Sequence, residues 1–205
     1  MNATPAPTPI EKPCLLIGEG IEEVRFFTAL LKHLGNQGVQ VEQCAGKQKL
    51  KAYLTAQVAR SGFDRVDTVV IVQDADDNPA VRLESVCEAA RSCGLLPPSR
   101  HAEFSDGRPR IGVFIMPDGT RPGMLESLCV DSVAGDAAME CVRGFLDCIK
   151  DRCGRVPRPI EKAQTHTWLA SQEVPDKRLG EAAEAGYWPW DNAAFSGLVG
   201  FLRRI

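Results

Sequence analysis

The sequence lacks the features that would place it in a membrane or constitutively nucleic-acid-binding class. It has no run approaching the roughly 18 consecutive apolar residues of a membrane-spanning helix, and we expect no membrane association. Its opening segment has no apolar stretch typical of a signal peptide, so we expect a cytoplasmic location. Its 24 Lys and Arg stand against 27 Asp and Glu, giving a formal net charge of −3. The surface as a whole therefore does not attract nucleic acid.

Common metal and phosphate motifs are also missing. The eight cysteines include no C-x-x-C pair, and no histidine stands at zinc-binding spacing from them. A chain of this length and apolar content does not need disulfides, so we expect reduced cysteines acting as small core residues. The sequence has no G-x-x-x-x-G-K-[ST] motif, which excludes a P-loop protein.

Three partial motifs fail at specific positions. G-E-G-I-E-E begins like a dinucleotide fingerprint, but Glu23 stands in place of the third glycine. D-A-D-D-N begins like an EF-hand loop, but Pro79 replaces its glycine and Ser85 its closing glutamate. A haloacid-dehalogenase phosphatase would need Thr or Val at Asn78, usually after the first strand. A small-molecule phosphatase or phosphotransferase stays an alternative, because the same carboxylates would serve it.

Apolar runs and helical periodicities alternate along the chain. Strands are predicted at 14–17, 39–44, 66–73 and 110–117, and helices at 22–34, 46–62, 79–93, 136–152, 158–171 and 192–203. This alternation predicts an α/β fold with a mostly parallel, four-stranded central sheet. We expect a disordered tail at 1–13, a core at 14–120, and a helical C-terminal extension at 121–205 packed on that core.

Acidic residues follow two predicted strands at the edge where parallel sheets bind ligands. Glu19 lies between two glycines after the first strand, and Asp74, Asp76 and Asp77 follow the third. Alternate residues of an extended segment point the same way, so Asp74 and Asp76 are expected to converge. Carboxylates that share a site take up a proton or bind a hard cation such as Mg²⁺. The sequence therefore predicts a divalent-metal site here.

This order of motifs resembles the Toprim domain, the fold shared by topoisomerases, bacterial primases and the overcoming-lysogenization-defect (OLD) nucleases. The shared pattern is a Glu after the first strand and D-x-D after the third. The chain further resembles an uncharacterised prokaryotic family with a Toprim-like core. The matching segments are GEGIEEVRFFTALLKHLG, AGKQKLKAYL, VVIVQDADDNP, IGVFIMPD, GMLESLCVDSV, IEKAQTHTWLA and DNAAFSGLVGFL, which cover nearly the whole chain after residue 13. The resemblance implies a Toprim-like three-layer sandwich.

The resemblance also implies roles for individual acids. Glu19, Asp74 and Asp76 would bind Mg²⁺ or Mn²⁺ and act in catalysis, with Glu19 as a general acid or base. Asp77 would be a further ligand or simply solvated. Glu126 lies in a GMLE segment that recurs in the resembling family, and it would complete the metal site. A surface Glu in the first turn of a helix, favoured by the helix dipole, explains it equally well.

Three further residues are candidates for binding phosphate. Gly46 and Lys47 begin a predicted helix at the carboxyl end of the second strand, where backbone N–H groups hold anions. An ordinary turn would also explain Gly46. Lys162 would pair with a phosphate or an acid, and an exposed lysine is its simpler interpretation.

The expected function is Mg²⁺-dependent phosphodiester chemistry on DNA or RNA, as in a Toprim-type nuclease. Bound cations would attract nucleic acid to an otherwise acidic protein. The alternative from a different class is a non-catalytic Toprim-like module that binds a protein partner or a second copy of itself.

Overall fold

The strands form one sheet whose centre is built from the most apolar runs of the sequence. A computed structural model describes residues 9–205. The strands are β1 (Cys14–Gly18), β2 (Val39–Gln43), β3 (Thr68–Asp74), β4 (Glu103–Phe104) and β5 (Arg110–Met116). They lie in the order β2-β1-β3-β5-β4, and all neighbours are parallel except β4 and β5. The α/β class and mostly parallel sheet are confirmed, with five strands instead of four.

The additional strand is β4. It has two residues and lies in a polar, proline-rich connection, so it is too short for an alternating pattern to reveal. Gly112 of β5 lets this strand approach, because a Cβ at that position would stand 2.4 Å from the Phe104 ring. Through this contact, β4 pairs with β5 and forms the edge strand of the sheet on that side.

The helices surround the sheet. In residues 9–205 they are α1 (Ile21–His33), α2 (Leu50–Val58), α3 (Pro79–Ser92), α4 (Leu125–Ser132), α5 (Ala138–Cys153), α6 (Ile160–Ala170), α7 (Leu179–Glu184) and α8 (Ser196–Leu202). The predicted helix at 46–62 divides into a 3₁₀ turn (Lys47–Lys49) followed by α2. The eight-residue α4 and the six-residue α7 lie outside the predicted helix ranges, because such short helices carry little periodicity.

Two apolar clusters lie on opposite faces of the sheet, since successive strand side chains alternate. Val69 and Ile71 belong to the cluster beneath α2 and α3. Val70 and Val72 belong to a larger cluster that α1 shares with the helices after β5, including Trp168 of α6. Each large apolar side chain buried there contributes about 1.5–3 kcal/mol. The larger cluster therefore holds the C-terminal helices on the sheet.

The first residues described already belong to the folded chain. Of the predicted tail, residues 1–8 lie outside the described part. Ile10 is only 1% exposed, and its amide donates a hydrogen bond to the Ser61 carbonyl at 3.1 Å. Packing therefore begins before Cys14. None of the helices in residues 9–205 combines the length and apolar character needed to cross a bilayer.

The cysteines are free, and their positions follow the prediction in part. Four are buried as small apolar residues, at Cys14, Cys44, Cys87 and Cys129. Three lie exposed on α5, at Cys141, Cys148 and Cys153. The core role predicted for cysteine therefore does not extend to α5.

Candidate functional site

Glu19 and Asp74 lie together because β1 and β3 are adjacent parallel strands. Glu19 follows β1 directly, and Asp74 is the last residue of β3. The backbone N–H of Asp74 donates to Glu19 Oε1 at 3.3 Å. The structure thus places these two predicted acids side by side at the carboxyl edge of the sheet.

Helix α4 begins against Asp74. The Leu125 N–H donates to Asp74 Oδ1 at 3.0 Å, so the carboxylate accepts from the amino terminus of the helix. Glu126, in the same first turn, has a side chain only 19% exposed. Lys162 of α6 lies with its Nζ 3.6 Å from Glu126 Oε1. Two residues far apart in the sequence therefore pair beside the strand-end acids.

Glu23 is a fourth acid of this cluster, and the sequence interpretation missed it. It lies in the first turn of α1, where its Oε2 accepts the N–H of Gly20 at 3.0 Å. Its charge acts on both Glu19 and Asp74. Its position four residues after Glu19 was the available signal, because the first turn of α1 packs back on the end of β1. Glu19, Glu23, Asp74 and Glu126 are called the acidic cluster below.

Burial and mutual repulsion favour the protonated forms of Glu19, Glu23 and Asp74. Protein atoms surround the Asp74 carboxyl, and this burial raises its pKa well above the usual value. The charges of Glu19, Glu23 and Glu126 raise the pKa of Asp74 further. Burial also raises the pKa of Glu19 and of Glu23, against opposing hydrogen bonds from backbone N–H groups. A positive charge at this position would relieve the repulsion.

The side chain of Asp76 does not point in the same direction as that of Asp74, although the two would be parallel in an extended segment. Its φ of +51° is left-handed, and it forms an isolated bridge with Gly123 through two backbone hydrogen bonds of 2.8 and 3.0 Å. Its carboxylate pairs with Lys47 and with Arg82, whose Nη2 lies 2.7 Å away. Burial alone would raise the pKa of Asp76. The hydrogen bonds from Lys47 and Arg82 outweigh burial and hold the pKa of Asp76 below its usual value.

The remaining predicted residues lie around this pair of cations. Asp77 is exposed immediately after Asp76. Gly46 has a φ of +107°, and its N–H donates to the Glu19 carbonyl at 2.9 Å. That N–H is therefore engaged by backbone and not directed at solvent. A groove of about 520 Å³ adjoins these residues and is lined by Lys47, Asp76, Asp77, Pro122, Gly123, Met124, Arg158, Pro159 and Glu161.

The acids suit a hard cation in chemistry, although their side chains are not gathered around one point. Carboxylate oxygens are the ligands that Mg²⁺ and Mn²⁺ prefer. Within residues 9–205, no three Asp, Glu, His or Cys side chains are grouped so that they could hold a metal ion. The contacts above give the reason: Glu19, Glu23 and Asp74 accept backbone N–H groups, and Asp76 turns to Lys47 and Arg82. Metal binding would require some of these carboxylates to rotate.

Solved structures of similar fold come from OLD proteins. The C-terminal region of the Burkholderia pseudomallei OLD protein has a TM-score of 0.50 at 14% identity, over 95% of this chain and 98% of that one. The corresponding region from Xanthomonas campestris pv. campestris has a TM-score of 0.48 at 16% identity, over 94% and 95%. At such identities the likeness concerns the fold alone.

Comparison by sequence gives the family. No curated protein matches the chain significantly. A family model described as "Protein of unknown function (DUF3226)" matches residues 13–205, which is nearly the whole sequence. The chain therefore belongs to the DUF3226 family.

Proposed function

We propose that the protein is a divalent-metal-dependent phosphodiesterase that acts on nucleic acid, a nuclease of the Toprim type. The observation that carries this proposal is the position of the partly buried Asp74, which contacts Glu19 and the first turn of α4 and feels the charges of Glu23 and Glu126. Several carboxylates held together at the ligand-binding edge of a parallel sheet destabilise a protein unless they are neutralised. A functional role for these carboxylates is the simplest reason for a protein to keep an arrangement that lowers its stability.

The acidic cluster would hold Mg²⁺ or Mn²⁺ through Glu19, Asp74 and Glu126. Asp76 would join them after leaving Lys47 and Arg82. When bound, the ion supplies neutralisation of charge on a phosphate and activation of water. The raised pKa of Glu19 makes its carboxylate a stronger base than an ordinary glutamate, which suits the role of a general acid or base.

Cations around the groove would position the substrate. Lys47 and Arg158 line the groove beside Asp76, and Lys162 stands against Glu126. These three side chains would bind phosphate oxygens of a strand lying across the acidic cluster. A local set of cations of this kind compensates for the net negative charge of the chain.

The Toprim-type assignment depends on the Glu19 and D-x-D pattern together with the sheet order. Glu19 follows β1 and Asp74 ends β3, which lie side by side. The similarity in fold to the C-terminal region of the Burkholderia pseudomallei OLD protein supports a Toprim-like core. Chemistry does not follow from fold, so the assignment needs its own experiment.

Cleavage of labelled single- and double-stranded DNA and RNA with Mg²⁺ or Mn²⁺ tests the proposal. Asp74→Asn is expected to lower the cleavage rate by about 100-fold or more, because it removes a central carboxylate. Asp147→Asn makes the same change on the exposed face of α5 and is expected to cleave normally. Absence of cleavage by the unaltered protein, or full activity of Asp74→Asn, would contradict the proposal.

A second candidate function is a non-catalytic binding module. The pairing of Asp76 with Lys47 and Arg82 favours it, because one predicted ligand is already neutralised. Such a module would bind Mn²⁺ in a calorimetric titration without cleaving any nucleic acid. A metal-dependent cleavage that Asp74→Asn abolishes would exclude it.

A further inference from the structure

A second polar cavity lies on the other face of β3, outside the acidic cluster. It occupies about 270 Å³ between α2 and α3. Gln73 of β3 lines it, and because strand side chains alternate, Gln73 points away from the face that carries Asp74. Lys47, Lys51 and Arg82 line the same cavity, and Glu88 is the one carboxylate among its lining residues.

Gln73 presents an unused acceptor inside the protein. The residue is 1% exposed, and its Nε2 donates to Cys44 Sγ at 3.7 Å. The Cys44 thiol itself donates to the Gly46 carbonyl at 3.6 Å, so in this arrangement its sulfur accepts from the Gln73 amide nitrogen. Gln73 Oε1 has no hydrogen-bond partner within residues 9–205. Leaving a buried acceptor unpaired is unfavourable, and a donor from a bound ligand would satisfy it.

Arg82 presents an unused donor at the same cavity. Its Nη2 pairs with Asp76 at 2.7 Å, but its buried Nε has no hydrogen-bond partner in the described chain. Lys51 adds an exposed ammonium group at the start of α2. With Lys47, three cations and one carboxylate line the cavity, so the cavity favours an anion. The unpaired Gln73 Oε1 requires that this anion also carry a proton to donate.

We propose that this cavity binds a phosphoryl group, with Arg82 and Lys51 holding its oxygens and Gln73 Oε1 accepting its P–OH proton. A phosphate monoester has its second pKa near 6, so it still carries this proton in slightly acidic solution. Arginine and lysine are the usual partners of phosphate oxygens. The site lies on the opposite face of the sheet from the acidic cluster, and phosphate binding there does not require a metal ion to be present.

Calorimetric titration at pH 6 in EDTA, with inorganic phosphate and with sulfate, tests the assignment. Sulfate carries more negative charge but no proton, so cations alone would prefer sulfate. The unaltered protein is expected to bind phosphate about fivefold more tightly than sulfate, through the hydrogen bond to Gln73. Gln73→Met keeps the side-chain length and removes the acceptor, and it is expected to abolish this preference.

Two lysine variants separate a built site from diffuse charge. Lys51→Met is expected to weaken both anions about fivefold or more, by loss of a charge-assisted hydrogen bond. Lys49→Met removes an equal charge two residues away, in the 3₁₀ turn before α2 and outside the cavity lining, and is expected to change affinity less than about twofold. Lys51 is exposed, so its variant reports on the site even if Gln73→Met impairs folding.

Three results would overturn the assignment: no binding of millimolar phosphate by the unaltered protein, equal weakening by both lysine variants, or an unchanged phosphate preference in folded Gln73→Met. A parallel titration with adenosine monophosphate identifies the source of the phosphoryl group. Tighter binding than inorganic phosphate would assign it to a nucleotide, and equal or weaker binding to the free ion.

Discussion

Replacing Asp74 by asparagine is expected to stabilise the protein at alkaline pH. Asparagine has nearly the same shape, and its Oδ1 still accepts the N–H of Leu125 that now lies 3.0 Å from Asp74 Oδ1. The substitution therefore removes the charge and keeps the contact. Above its raised pKa, Asp74 carries that charge among Glu19, Glu23 and Glu126. Asn at this position does not carry it.

The sign of the pH dependence follows from the direction of the shift. The ordinary pKa of an aspartate is 3.8, and in the folded protein that of Asp74 is well above it. Between these two values the folded state binds more protons, so the free energy of unfolding falls as pH rises above about 4. Asp74→Asn is expected to raise it by about 1–3 kcal/mol at pH 8. At pH 4 the expected difference is close to zero.

Urea unfolding at pH 4, 6 and 8 in EDTA, followed by circular dichroism, measures this difference. Asp147→Asn, on the exposed face of α5, is the control and is expected to change stability by less than about 0.5 kcal/mol at every pH. If the proposed metal site is correct, Mg²⁺ at 100 times its dissociation constant stabilises the unaltered protein by about 2.7 kcal/mol, and Asp74→Asn much less. A loss of stability at pH 8, or a difference independent of pH, would refute the reasoning.

Two further substitutions test separate parts of the structure. Lys47→Met leaves Asp76 paired with Arg82 alone and is expected to tighten Mn²⁺ binding roughly threefold in a paramagnetic resonance titration. Weaker binding would mean that Lys47 and the metal ion do not compete for the Asp76 carboxylate. Gly180→Ala would place a Cβ 2.6 Å from Arg25 Cβ between α7 and α1, and is expected to destabilise by about 1–3 kcal/mol in urea unfolding. Gly144→Ala, with open space around it in the middle of α5, is expected to stabilise by about 0.5–1 kcal/mol, and equal effects of the two would contradict the packing argument.

The sheet and the meeting of Glu19 with Asp74 could be predicted because both depend on local pattern. Apolar runs locate β1, β3 and β5, and alternation with helices makes them parallel. Once β1 and β3 are neighbours, residues at their carboxyl ends must be close. The two-residue β4 could not be predicted, because it is defined by pairing with Val113 and Gly112 and not by its own sequence.

The conformation of Asp76 could not be predicted, because a distant segment determines it. Its backbone turns left-handed where it bridges Gly123, 47 positions further along the chain. The periodicity of an extended strand ends at this bridge, so the assumption that alternate residues face the same way fails. The pairing of Glu126 with Lys162 is a long-range contact of the same kind. No local pattern carries such information.

Asp76 is the residue at which two oppositely charged groups of side chains meet. Its carboxylate adds repulsion to Glu19 on one side, while Lys47 and Arg82 pair with it on the other. A carboxylate cannot fully serve a divalent ion and two cationic side chains at once, since its oxygens have a limited number of acceptor positions. If a phosphoryl group draws Arg82 and Lys47 into the cavity behind β3, Asp76 is released towards the acidic cluster. Linkage then requires that metal and phosphate strengthen each other's binding by the same factor.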